Sequence, residues 1–124
     1  MRHSLRVGVC VMVVALASPS PVVAHAYLVR SSPAGRATVA RAPARVQLWF
    51  NERLEPAYSR VSVRRADGRQ VDAGDVRVEP TEPTRLSVGV PPLEAGVYTV
   101  TYRVLSVDGH VVDAEFAFTV GTAR

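Results

Sequence analysis

The sequence has no lysine, one cysteine, two methionines and three histidines among its 124 residues. Met1, Met12 and Cys10 all fall within the first 24 residues, and that stretch reads as a secretory signal peptide. Arg2 and Arg6 supply a positive start, Val7 to Ala17 is an apolar run broken only by Gly8, and Pro19 and Pro21 stop any helix. A membrane span needs roughly 20 apolar residues, about twice this run. Val22-Val23-Ala24 offers small residues at the cleavage positions, so a cut after Ala24 is expected. Ala24-His25-Ala26 is itself an A-x-A pattern, and a cut after Ala26 is the alternative. Val9 is not the small residue that lipid attachment to Cys10 would want. The exported domain, residues 25–124, then has no sulfur at all. Disulfides, zinc–thiolate sites and a cysteine nucleophile are excluded.

Charge excludes another class. Without Arg2 and Arg6, the 15 basic residues fall to 13 arginines against 11 acids, and the formal charge drops from +4 to +2. The two signs are interspersed, so the high isoelectric point marks a solvated surface and not a nucleic-acid footprint. No internal repeat, low-complexity tract or linker divides the chain, and the length suits one domain.

Short β-rich runs separated by turn signals fill the remainder. Expected strands run from Ala26 to Arg30, from Arg45 to Phe50, around Val61 and Val63, weakly around Val76 and Val78, over Leu86 to Val90, from Gly96 to Leu105, and from His110 to Val120. Alternation puts Val46, Leu48 and Phe50 on one face, with Gln47 and Trp49 on the other. Tyr98, Val100, Tyr102 and Val104 share a face, as do Val112, Ala114, Phe116, Phe118 and Val120. Only Glu52 to Ser59 suggests a helical turn. About seven strands in about 100 residues predict an all-β, Greek-key two-sheet β-sandwich of immunoglobulin type, with a small barrel as runner-up.

Two histidines survive cleavage, His25 at the new amino terminus and His110 in Asp108-Gly109-His110. An N-terminal histidine can chelate a metal through its α-amine and Nδ1 together. His110 and Asp108 would complete a set of three nitrogens and one oxygen, which suits Cu(II) in a tetragonal plane. Asp108 and His110, two apart, fall on one side of an extended backbone, and Gly109 tolerates a bend between them. The blander reading is equally simple: Asp-Gly is a common turn dipeptide, and His110 could be an ordinary surface residue.

Taken together, these residues resemble the CopC family of periplasmic copper-resistance proteins. His25-Ala26-Tyr27-Leu28-Val29-Arg30-Ser31-Ser32-Pro33-Ala34 is similar to the family's H-A-x-L-x-x-S-x-P-x start. Val46-Gln47-Leu48-Trp49-Phe50-Asn51-Glu52 resembles its I-x-L-x-F-S/N-E strand. Leu93-Glu94-Ala95-Gly96-Val97-Tyr98-Thr99-Val100 follows, and then the most specific run, Tyr102-Arg103-Val104-Leu105-Ser106-Val107-Asp108-Gly109-His110. The resemblance implies cleavage directly before His25 and one Cu(II) per chain, held by His25 through amine and ring, by Asp108 and by His110. Glu52 falls where the family carries an acid close to the copper and is a lesser candidate ligand. Trp49 either covers that site or packs on the other sheet face, and packing is the expectation.

The same resemblance implies a periplasmic copper carrier or buffer, a monomer, with an inner-membrane copper transport protein as a partner and no nucleic acid. Residues 61–82, where some members carry a methionine-rich Cu(I) loop, contain no methionine, cysteine or histidine, so no dedicated Cu(I) site is expected. Other members are fused to a membrane domain, whereas this chain stops at Arg124 and is expected to be a free envelope protein. Two further classes stay in view: a histidine-brace copper monooxygenase, and a metal-free immunoglobulin-like interaction module. A carboxylate from Asp108 would stabilise Cu(II) and oppose redox cycling, so no enzyme is expected.

Overall fold

The computed structural model describes Gly8, residues 10–15 and residues 26–122. His25, most of the expected signal peptide and the cleavage junction lie outside the described residues. Eight strands follow one another: β1 (Leu28–Ser32), β2 (Thr38–Val39), β3 (Arg45–Phe50), β4 (Arg60–Arg65), β5 (Arg77–Glu79), β6 (Glu82–Gly89), β7 (Gly96–Leu105) and β8 (Val111–Val120). The one helical element among the described residues is a 3-10 turn, Pro56–Tyr58, within the segment expected to turn. Among the described residues no helix is long and apolar enough to cross a membrane.

The strands form two four-stranded sheets, ordered β1-β3-β6-β5 and β2-β8-β7-β4. Only the β5–β6 and β7–β8 hairpins stay within a sheet. Every other connection crosses between the sheets, which gives the Greek-key sandwich its interleaved order. The inward faces are the ones alternation predicts. Val46, Leu48 and Phe50 of β3 meet Leu86 and Val88 of β6, and across the sandwich Tyr98, Val100, Tyr102, Val104 and Phe118. Each of these is at most 6% exposed. Removing such a side chain from water contributes about 1.5–3 kcal/mol, and here it is what holds the sheets face to face. The rings of Phe50 and Tyr102 pack in a T-shape with centroids 5.5 Å apart, tying β3 to β7.

The boundaries differ from the sequence pattern for local reasons. β1 runs from Leu28 to Ser32, two residues later than the pattern suggests, with a register shift between Leu28 and Arg30 in its ladder with β3. β2 is only two residues, too short to carry a period, and runs parallel to the end of β8. β6 starts at Glu82 because Pro80-Thr81 makes a tight two-residue loop between Glu79 and Glu82. β8 starts at Val111, leaving His110 in the preceding turn. Trp49 lies on the outer face of its sheet, as packing predicts. Its indole N–H donates to Glu82 Oε1 at 3.1 Å, and the Arg30 guanidinium sits 3.9 Å above the ring.

Candidate metal centre

The ten-residue strands β7 and β8 are joined by five residues, Ser106 to His110, at one end of the sandwich. Ser106 is 1% exposed and closes this loop from inside. Its N–H donates to the His110 carbonyl at 2.9 Å, and its carbonyl accepts the Gly109 N–H at 2.9 Å. Gly109 has φ of 93°, the left-handed region that an L side chain resists. The Ser106 hydroxyl donates to Asp108 Oδ1 and accepts the His110 N–H at 3.2 Å. One buried hydroxyl thus fixes both candidate ligands.

The result is that Asp108 and His110 stand side by side, with Nδ1 of His110 3.1 Å from Oδ1 of Asp108. Their side chains are 35% and 32% exposed, open to solvent at the rim. Two apart in sequence, they would share one side of an extended backbone. They do share a side, but a tight turn around Ser106 brings them there. Hydrogen bonds from the Ser106 hydroxyl first, and from His110 second, hold the Asp108 carboxyl below its ordinary pKa. The pair therefore offers an ionised oxygen donor next to an imidazole.

The β3–β4 crossover is hydrogen-bonded alongside this loop. Val107 donates its N–H to the Arg53 carbonyl at 2.9 Å, Glu55 donates to the Leu105 carbonyl at 2.8 Å, and Leu54 pairs with Ser106. At the other end of the same segment, Asn51 Oδ1 accepts the Tyr27 N–H at 2.7 Å, and the Asn51 N–H donates to the Tyr27 carbonyl at 3.3 Å. Ala26 is 2% exposed. The chain two residues after His25 is thus moored to the segment that backs the Asp108–His110 loop. Glu52 is half-buried on that segment. Among the described residues no three of His, Cys, Asp and Glu come together as a metal-binding group, so Glu52 does not complete one with Asp108 and His110.

Two positioning residues were not singled out from sequence. Ser106 and Asn51 both lie inside quoted motifs, yet neither is a metal-ligand type. The available signal was placement: Ser106 stands two and four residues before the candidate ligands, and Asn51 directly ends an alternating strand.

A family model described as the CopC domain matches residues 28–121. The copper transport protein CutJ of Bacillus subtilis is 31% identical over 106 residues, which is 85% of this chain but 20% of that protein's length. The chain therefore spans only a fifth of that relative. Copper resistance protein C of Xanthomonas campestris pv. juglandis is 34% identical over 116 residues, 89% of this chain and 91% of that one. The crystal structure of CopC from Methylosinus trichosporium OB3b superimposes with a TM-score of 0.70 at 38% identity, covering 78% of this chain and 94% of that one. With a family model spanning β1 through the end of β8, and relatives matched over nearly the whole sandwich, the chain belongs to the CopC family.

Proposed function

We propose that this chain is exported, loses residues 1–24, and binds one Cu(II) through the α-amine and imidazole of His25, the Asp108 carboxylate and the His110 imidazole. The observation that carries the reading is the Ser106-closed loop, which presents an imidazole and an ionised carboxylate together at the sandwich rim. The donor set is nitrogen-rich with one hard oxygen and no sulfur, which favours Cu(II) over Cu(I) and over magnesium or calcium. Mooring of Tyr27 to Asn51 supports His25 as a partner of that loop. Glu52 is the lesser candidate, an acid in the surroundings of the metal.

The role we assign is carrier or buffer in copper resistance in the periplasm, acting as a monomer and handing copper to an inner-membrane copper transport protein. Partial exposure of Asp108 and His110 suits exchange of the metal with a partner. An oxygen-activating enzyme would need an accessible Cu(I) state. The carboxylate of Asp108, kept ionised by Ser106, works against it.

The test compares two purified forms. One begins at His25, as established by intact mass; the other carries a single Gly ahead of it. The extension turns the amine into a peptide nitrogen and breaks the amine–imidazole chelate, while every side chain survives. The native form is expected to show one Cu(II) with tetragonal electron paramagnetic resonance and nitrogen hyperfine splitting. The extended form is expected to bind weaker by several orders of magnitude. Equal affinity of the two would refute the amino-terminal chelate.

A further inference from the structure

β8 forms the outer margin of its sheet for most of its length, because β2 covers only Thr119 and Val120. The Ala117 carbonyl accepts the Arg36 N–H at 2.6 Å, and the Thr119 N–H donates to the Ala37 carbonyl at 2.8 Å. Odd-numbered residues of β8 thus direct their main chain away from β7. Val111, Asp113 and Glu115 share that phase, and among the described residues nothing hydrogen-bonds to their N–H or C=O groups. Such an open ladder is a template for a further strand.

We propose that Val111–Glu115 is a docking edge for an extended, basic segment of a partner protein, which adds a strand to the sheet beside His110. Main-chain bonds would give such an edge its affinity, and side chains its selectivity. The outward side chains are Val111, which is 50% exposed, then Asp113 and Glu115. Asp113 pairs with Arg103 across the strand at 2.9 Å, whereas Glu115 faces Thr101 and has no ion pair among the described residues. The edge therefore carries one unpaired acid, Glu115, and an arginine or lysine opposite it on an incoming strand complements it.

The same acids disfavour a second copy of this chain. Antiparallel pairing of two such edges sets acid against acid, and like charges directly opposite destabilise a sheet. Since Val111 follows His110 immediately, a docked strand ends next to the proposed metal site. That link to copper transfer rests on the proposed function; the docking itself does not.

The experiment uses the exported protein and two fluorescein-labelled heptapeptides, one alternating Arg with Val and the other Glu with Val. The basic peptide is expected to bind at least about threefold more tightly than the acidic one, from one favourable cross-strand pair at Glu115 replaced by a repulsive one. Salt should weaken it, and amide exchange should slow at Val111, Asp113 and Glu115. Glu115→Pro removes one outward N–H without touching the β7 ladder and should abolish binding. The double change Asp113→Arg, Glu115→Arg should switch preference to the acidic peptide. Folding of each variant is checked by its thermal transition, and copper binding by electron paramagnetic resonance. Peptide binding that survives both variants, protection mapped to another strand, or a dimer of the protein through this edge would overturn the proposal. Loss of copper binding with peptide binding intact would count against the metal reading alone.

Discussion

Replacing Ser106 by Ala tests how the candidate ligands are positioned without altering either of them. The hydroxyl is the acceptor for the His110 N–H and the donor to Asp108, and the side chain is 1% exposed. Losing a buried acceptor leaves its donor to find water through a packed loop, at a cost of about 1–2 kcal/mol. For a domain of this size that corresponds to about 4–8 °C in Tm per kcal/mol. Urea unfolding of the metal-free protein at pH 7 should therefore show a lower midpoint with an unchanged slope. The pH dependence has a definite sign. Asp108 titrates below its ordinary value in the folded chain, so its contribution to stability is present above the ordinary carboxylate range and is lost as pH falls through the folded pKa. Without the Ser106 hydroxyl, the largest cause of that shift is gone. The Asp108 carboxyl should titrate higher in an NMR experiment, and the stability gap between the two proteins should narrow in acid. Cu(II) affinity should fall as well, although every ligand atom is retained. A variant within about 0.3 kcal/mol of the parent, with an unmoved Asp108 titration, would refute the role given to Ser106.

Three further outcomes follow from the same geometry. Asn51→Ala removes the side-chain acceptor of the Tyr27 N–H. It should cost about 0.5–1.5 kcal/mol and weaken Cu(II) binding while leaving NMR signals of the Ser106–His110 loop in place. Acidification should weaken copper binding, because the nitrogen donors must be deprotonated to bind; affinity unchanged from pH 7 to pH 4 would instead indicate carboxylate ligation. Leu48→Ala, at a fully buried position of β3, should cost about 2–5 kcal/mol in chemical unfolding without changing copper stoichiometry below its transition.

The architecture was legible wherever one face of a strand is buried. The alternation of Val46, Leu48 and Phe50, and of Tyr98 to Val104, survives into the structure because a one-residue slip would turn the whole set toward solvent. Thr38–Val39 could not be read, since two residues define no period and their pairing depends on where β8 ends. Nor does alternation anticipate Ser87, an outward-facing serine that is fully buried. Arg45 donates to its hydroxyl at 3.0 Å and Glu79 accepts from it at 3.3 Å, and long polar side chains from neighbouring strands cover it. At the candidate site, Asp108 and His110 were named by ligand type. The reason they lie together was not, because Ser106 acts through a hydrogen-bonded turn and a buried serine leaves no chemical signature in the sequence.

That division has a physical basis in how the sandwich brings its parts together. Tyr27 precedes β1 in one sheet, and the Ser106–His110 loop joins two strands of the other. Among the described residues no ladder connects those sheets; the core between them is apolar, and side-chain packing tolerates small sliding more readily than a hydrogen-bonded ladder does. Among the described residues, the crossover from β3 to β4 links the two, binding Tyr27 at Asn51, Val107 of the loop at Arg53, Ser106 at Leu54 and Leu105 of β7 at Glu55. The proposed ligand set, spread over both sheets, would therefore need that crossover to hold its shape. This explains why its bonds to each side are made mostly by main-chain groups, whose geometry changes little with side-chain identity. Under the proposed ligand set, selection of a metal would rest with the donors, while Asn51 would fix the Tyr27 end and Ser106 the Asp108–His110 end.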